Sequence, residues 1–156
     1  MSDHEPDQRT PDEARLTRTF DAPVDRVYQA WIDPEQFAHW FGAELEVPQS
    51  YLEMDVRPGG QWKATMLHEG GELPFGGEYR ELVENERLVM TFDDPEHIGA
   101  GNVDVNVLTV TFTPLGEDRT EVLLSQTGLM EHGMADDLVV GYNSFMDKLA
   151  ELLARD

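Results

Sequence analysis

The fold is decided by residues 134–154, which read MADDLVVGYNSFMDKLAELLA. Apolar side chains recur in this stretch at alternating spacings of four and three, which places them on one face of an α-helix. The sequence before it, from residue 44 onward, alternates apolar and polar side chains with the period of β-strands. An apolar helix face and an apolar sheet face leave water by packing against each other. The sequence therefore predicts one long helix across a sheet.

Inside that helix, Gly141 interrupts an otherwise good helical sequence. A glycine in a helix interior costs about 1 kcal/mol relative to alanine. We expect it to mark either close packing against another element or space that is left open. In the same helix, Phe145 is expected to be buried against the sheet, and Tyr142 to lie one turn closer to any opening.

Two short helices are predicted near the beginning of the chain, after a short strand at residues 17–20. Asp33-Pro34 ends the first helix and caps the second, and Gly42 closes the second. The apolar face of the first helix recurs at helical spacing and consists of Val24, Val27, Tyr28, Trp31 and Ile32.

Six further strands complete a predicted antiparallel sheet of about seven strands. They are expected at residues 45–56, 62–68, 78–83, 87–92, 104–113 and 119–127. Alternate connections of an up-and-down sheet share one end, so the glycine-rich loop 69–77 and the loop 93–103 should lie together beside the link 128–133. Long loops gathered at one end of a sheet predict a mouth there.

Composition predicts one globular domain behind an acidic leader. The chain has 156 residues, of which 40% are apolar. Residues 1–14 contain five acidic residues and two prolines, so we expect a disordered leader followed by a single domain at 15–156. The net charge is −21, from 32 acidic and 11 basic residues. This charge repels phosphate backbones and anionic lipids, so nucleic acids and membranes are not expected partners.

The sequence lacks the residues or the spacings that several kinds of functional site require. There is no cysteine, the five histidines are scattered without metal-binding spacing, and no phosphate or dinucleotide motif occurs. No metal and no cofactor are therefore predicted. The apolar runs are far shorter than the roughly 20 residues of a membrane span. A cytoplasmic location is expected.

Strand parity and helix phase select residues that would line a space between sheet and helix. The alternative is that they fill a close-packed core. The predicted lining comprises Trp40, Trp62, Met66, Tyr79, Met90, Phe92, Leu108, Val110, Met134, Leu138 and Tyr142. Three polar residues share the inward parity, namely His68, Glu81 and Gln126. His68 and Glu81 are weak candidates for acid and base chemistry, against the alternative that each reaches water or a backbone partner near a strand end.

Short motifs in a fixed order extend over almost the whole chain. They are FDAPV at 20–24, VYQAW at 27–31, DPE at 33–35, WFG at 40–42, DVRPGGQW at 55–62, GEYRE at 77–81, and Gly141-Tyr142 with Leu149. In this order they resemble bacterial proteins similar to the C-terminal domain of the activator of heat-shock protein 90 ATPase. That family belongs to the START-related, Bet v 1-like SRPBCC superfamily. The resemblance implies an α+β helix-grip fold, in which a strongly curved antiparallel sheet grips the long helix around a cavity.

The resemblance leaves three functions open, since proteins of one fold carry unrelated activities. The first is non-catalytic binding of a hydrophobic or amphipathic small molecule between sheet and helix. The second is a module that interacts with a chaperone. The third is an enzyme of the polyketide-cyclase kind that uses His68 or Glu81. A continuous pocket favours the first, a filled core the second, and a pocket with two facing titratable groups the third.

Overall fold

The computed structural model describes residues 10–41, 45, 47–92 and 106–154. Within these residues, seven strands and three α-helices follow one another. They are β1 (Thr10–Phe20), α1 (Val24–Ile32), α2 (Pro34–Trp40), a 3₁₀ turn (Gln49–Tyr51), β2 (Leu52–Met54), β3 (Gln61–His68), β4 (Gly71–Val83), β5 (Arg87–Phe92), β6 (Asn106–Gly116), β7 (Arg119–Met130) and α3 (Met134–Leu153).

The strands form one antiparallel sheet in the order β1-β7-β6-β5-β4-β3-β2. The curved sheet grips α3, and this confirms the predicted helix-grip fold. The buried stripe of α3 consists of Tyr142, Met146, Leu149 and Leu153. In the described part of the chain, no helix combines the length and the apolarity that crossing a membrane requires.

The first strand begins at Thr10, earlier than the predicted residue 17. Residues 10–14, which the sequence assigned to a disordered leader, pair with the end of β7, and Ala14 is buried. The Ser125 hydroxyl donates a hydrogen bond of 2.5 Å to the Glu13 carboxylate. A long partner strand thus supplies hydrogen bonds that outweigh the acidic local composition. The rest of the predicted leader, residues 1–9, lies outside the described residues.

Two other predicted segments differ from the structure. Of the described residues within the predicted strand 45–56, Leu52–Met54 form a strand, which follows the 3₁₀ turn. The predicted loop 69–77 is instead a tight hairpin, because β4 already begins at Gly71. Gly77 lies inside β4, where an added Cβ would come within 1.8 Å of the Thr91 carbonyl oxygen. This glycine permits a close approach of two strands and does not mark a loop.

An aromatic cluster joins α2 to the sheet and fills the core below α3. The indole of Trp40 donates a hydrogen bond of 2.8 Å to the Ala30 carbonyl, and that of Trp62 donates one of 3.0 Å to the Thr91 carbonyl. Both indoles are buried. Phe37 makes edge-to-face contacts with both indole rings, at centroid distances of 5.0 and 6.2 Å. The cluster therefore fixes α2 at one margin of the space under α3.

Candidate functional site

A cavity of about 340 Å³ lies between the first half of α3 and one end of the sheet. Its described lining consists of Phe41, Met66, Phe75, Phe92, Asn106, Gln126, Met134, Asp137, Leu138, Gly141, Tyr142 and Phe145. The sheet residues come from the β3–β4 hairpin, the end of β5, the start of β6 and the second half of β7. This is the end at which hairpin parity predicted a mouth. The predicted mouth loop 93–103 itself lies outside the described residues.

Gly141 opens the helix side of the cavity. Met134, Asp137, Leu138, Gly141, Tyr142 and Phe145 recur at helical spacing, so successive turns of α3 present them to the same space. An added Cβ at Gly141 would meet no heavy atom within 4 Å. Of the two expectations for this glycine, the structure therefore shows open space and not close packing.

The rest of the wall is mainly apolar and rich in phenylalanine. Phe41, at the end of α2, lies with its ring centroid 5.9 Å from that of Phe75 and 5.1 Å from that of Phe145. Phe92 closes the side of β5, and its ring lies 5.1 Å from that of Trp62 in the core. Phenylalanine rings, with Met66 beside them, can contact a flat apolar molecule. None of these side chains has a buried N–H or O–H group that would need a hydrogen-bond partner.

One hydrogen-bonded chain of polar side chains lies in this apolar wall. The Tyr142 hydroxyl donates to Oε1 of Gln126, and Nε2 of Gln126 donates to Oδ1 of Asn106 at 3.3 Å. Both Tyr142 and Gln126 are buried. Burial raises the pKa of the Tyr142 hydroxyl far above its ordinary value, so the hydroxyl remains a neutral donor.

Tyr142→Phe is expected to lower the free energy of unfolding by about 1–2 kcal/mol near neutral pH, because Gln126 loses its buried donor.

The Tyr142 hydroxyl also makes the stability of the protein depend on pH in the alkaline range. Its pKa is raised on folding, so its contribution is complete below the ordinary value of 10.0 and is lost as pH rises above it. In urea melts across the alkaline range, the free energy of unfolding of Tyr142→Phe should therefore fall less steeply with rising pH than that of the parent protein. Tyr51→Phe, at an exposed position, is the matched control, and equal pH profiles for both variants would contradict the assignment.

The structure divides the predicted lining residues into two groups. Met66, Phe92, Met134, Leu138 and Tyr142 reach the cavity. The others are buried in the core beneath it, namely Trp40, Trp62, Tyr79, Met90, Leu108 and Val110. Phe145 is only partly buried and lines the cavity, whereas Tyr142 is the more deeply buried of the two, which reverses the order expected from the sequence.

Several lining residues were not predicted. Phe75 was missed because its segment was assigned to a loop. Asn106 was missed because it lies at the beginning of β6, at the edge of the apolar alternation of that strand. Asp137 lies in the first turn of α3, where a carboxylate is already favourable for the helix dipole, so its charge alone does not indicate a cavity residue. The signal that could have found Asp137 is its spacing, because it lies three residues after Met134 and four before Gly141 on one helix face.

Of the two weak catalytic candidates, the structure describes only the side chain of Glu81. The pairing of β4 with β5 shifts register between Tyr79 and Glu81, so Glu81 no longer shares the inward face. Its carboxylate instead accepts hydrogen bonds from Arg87, with the closest contact at 2.6 Å. The side chain of His68 lies outside the described part of the structure. Within the described residues, no three His, Asp or Glu side chains are grouped as metal ligands would be.

Comparison with known proteins places the chain among structurally similar bacterial proteins. A sequence model of one family, described as "Activator of Hsp90 ATPase homolog 1-like protein", matches residues 21–154. A crystal structure of a protein from Chromobacterium violaceum is 30% identical, with a TM-score of 0.76 over 93% of this chain and 99% of that one. No curated protein matches the chain.

Two more distant structures share the fold. A protein of unknown function from Staphylococcus aureus has a TM-score of 0.79 at 21% identity, over 94% of this chain and 95% of that one. A protein from Mycobacterium smegmatis has a TM-score of 0.73 at 21% identity, over 92% of this chain and 91% of that one.

Proposed function

The chain belongs to the family of Activator of Hsp90 ATPase homolog 1-like proteins, and from this premise we propose that it is a non-catalytic binding protein for a compact apolar or amphipathic small molecule. The observation that carries the proposal is the open cavity of about 340 Å³ under α3. A mostly apolar cavity of this size with a few convergent polar groups is typical of small-molecule sites. Its volume suits a ligand of on the order of fifteen non-hydrogen atoms.

The chemistry of the lining supports binding over acid–base catalysis. The titratable side chains of the described lining are Asp137 and Tyr142. Tyr142 keeps its proton because burial raises its pKa, and its hydroxyl is already engaged with Gln126. Asp137 is exposed on the first turn of α3. The cyclase-like alternative would therefore depend on His68, since Glu81 is paired with Arg87 away from the cavity.

Interaction with a chaperone remains the second candidate function, because the family description names an activator of the Hsp90 ATPase. A filled core was the feature expected of such a module. The open space beside Gly141 favours the binding function instead. Addition of the protein to a purified Hsp90-type chaperone, with ATP hydrolysis as the readout, tests this candidate directly. The cytoplasmic location and the absence of a cofactor stay predictions.

The uncharged dye N-phenyl-1-naphthylamine is expected to bind the folded protein with one-to-one stoichiometry and increased fluorescence. Leu138→Trp should weaken that binding about tenfold, because the larger ring displaces several ligand atoms at roughly 0.3 kcal/mol each. Leu115→Trp is the matched control, since Leu115 is exposed and does not line the cavity. The proposal fails if the dye binds only to unfolded protein, or if both variants bind as the parent does.

A further inference from the structure

The described lining carries a charge that the proposed function does not use. Resting on that function, we propose that the cavity selects compact aryl-alkyl amines over carboxylates of the same size. The apolar body would lie among the phenylalanine rings, and the ammonium group would lie beside Asp137. Asp137 is the acidic residue of the described lining, and it lies on the same face of α3 as Met134 and Gly141.

No cation offsets this carboxylate in the described lining. Among the lining residues that the structure describes there is no lysine, arginine or histidine. The ion pairs of the described chain also leave Asp137 out, because they join Arg15, Arg18, Arg57, Arg87 and Lys148 to other carboxylates. A carboxylate ligand would therefore bring a second negative charge next to the first, whereas an ammonium group would neutralise it.

The phenylalanine rings of the lining also favour a positively charged ligand. Phe41, Phe75, Phe92 and Phe145 all line the cavity. The face of an aromatic ring is negative, so a nearby cation is attracted to it. The rings and Asp137 therefore both favour an ammonium group over a carboxylate.

One feature of the site acts in the opposite direction. The N-terminal end of a helix carries a partial positive charge that attracts anions. In α3, however, Asp136 and Asp137 both lie in the first turn and already offset that charge. The net charge of −21 further lowers the local concentration of anions around the whole protein. The balance therefore favours a cationic ligand.

Three probes of nearly equal size test the preference, namely 4-phenylbutylamine, 4-phenylbutanol and 4-phenylbutanoate. Calorimetric titration at neutral pH and low salt should give the tightest binding for the amine, about fivefold tighter than the alcohol, with the carboxylate weakest. Asp137→Asn should reduce the ratio of amine affinity to alcohol affinity towards one. Asp136→Asn removes the same charge from the same helical turn outside the cavity lining, and should leave that ratio above threefold.

The outcomes separate the two proposals. An amine that binds no better than the carboxylate, while the alcohol still binds, overturns the charge preference and leaves the cavity function intact. If Asp136→Asn and Asp137→Asn lower the ratio of amine affinity to alcohol affinity equally, the preference comes from net charge, and the proposed contact with Asp137 is also overturned. Failure of all three probes to bind overturns cavity binding itself, and the preference with it.

Discussion

Gly77→Ala is expected to lower the free energy of unfolding by about 3 kcal/mol or more. The added methyl group would lie 1.8 Å from the carbonyl oxygen of Thr91 and 2.7 Å from its hydroxyl oxygen. The carbonyl belongs to the backbone of β5 and cannot rotate away as a side chain could. Strand β4 or strand β5 must therefore move, and the cost should lie at the upper end of the range for overpacked interiors.

The movement would also break hydrogen bonds that hold the core. Thr91 accepts a bond of 3.0 Å from the Trp62 indole through its carbonyl and one of 2.9 Å from the Glu78 amide through its hydroxyl. Both groups lie next to Gly77 along the paired strands. Each net bond contributes about 1 kcal/mol, and a buried indole left without a partner costs more.

Urea unfolding of Gly77→Ala and Gly141→Ala measures this directly, because the two variants add the same atom. At Gly141 that atom meets no heavy atom within 4 Å. Gly141→Ala should therefore increase the free energy of unfolding by up to about 1 kcal/mol through helix propensity alone. Changes of the same sign and size in both variants would show that the close approach of Gly77 to Thr91 is not a real constraint.

Much of the fold was predictable from periodicity, because periodicity reports which face of an element is buried. The apolar stripe of α3 predicted a helix at 134–154, and the structure has it at Met134–Leu153. Segments that depend on a distant partner were not predictable in the same way. Strand β1 extends back to Thr10 because β7 is long enough to pair with it, and no property of residues 10–14 alone indicates this.

The candidate site was less predictable, for two physical reasons. Parity holds only while a strand is regular, and the register shift after Tyr79 turned Glu81 away from the inward face. A core and a cavity wall also have the same composition and period, so Trp62 and Met66 could not be distinguished although only Met66 reaches the cavity. Gly141 was the informative exception, because its helix propensity is poor and a packing or space requirement must explain it.

Gly141→Phe is expected to weaken binding of N-phenyl-1-naphthylamine about thirtyfold while the protein becomes more stable. The phenyl group would occupy the open space beside Gly141 and displace about seven ligand atoms at roughly 0.3 kcal/mol each. The free energy of unfolding should nevertheless rise by about 1 kcal/mol, since phenylalanine is a better helix former than glycine and the ring is removed from water. A loss of affinity together with a gain of stability cannot be explained by unfolding.

Val140→Phe is the matched control for this prediction, because the preceding residue points to solvent with 67% of its surface exposed. It adds the same ring to a solvent-exposed position of α3 outside the cavity lining and should bind the dye as the parent does. Dye titrations and urea melts of the two variants together test where the ligand lies. Unchanged affinity in a stable Gly141→Phe variant would place the ligand outside the cavity. A marked loss of stability would instead show that the space beside Gly141 is not open in solution, and the cavity that carries the proposed function would then be absent.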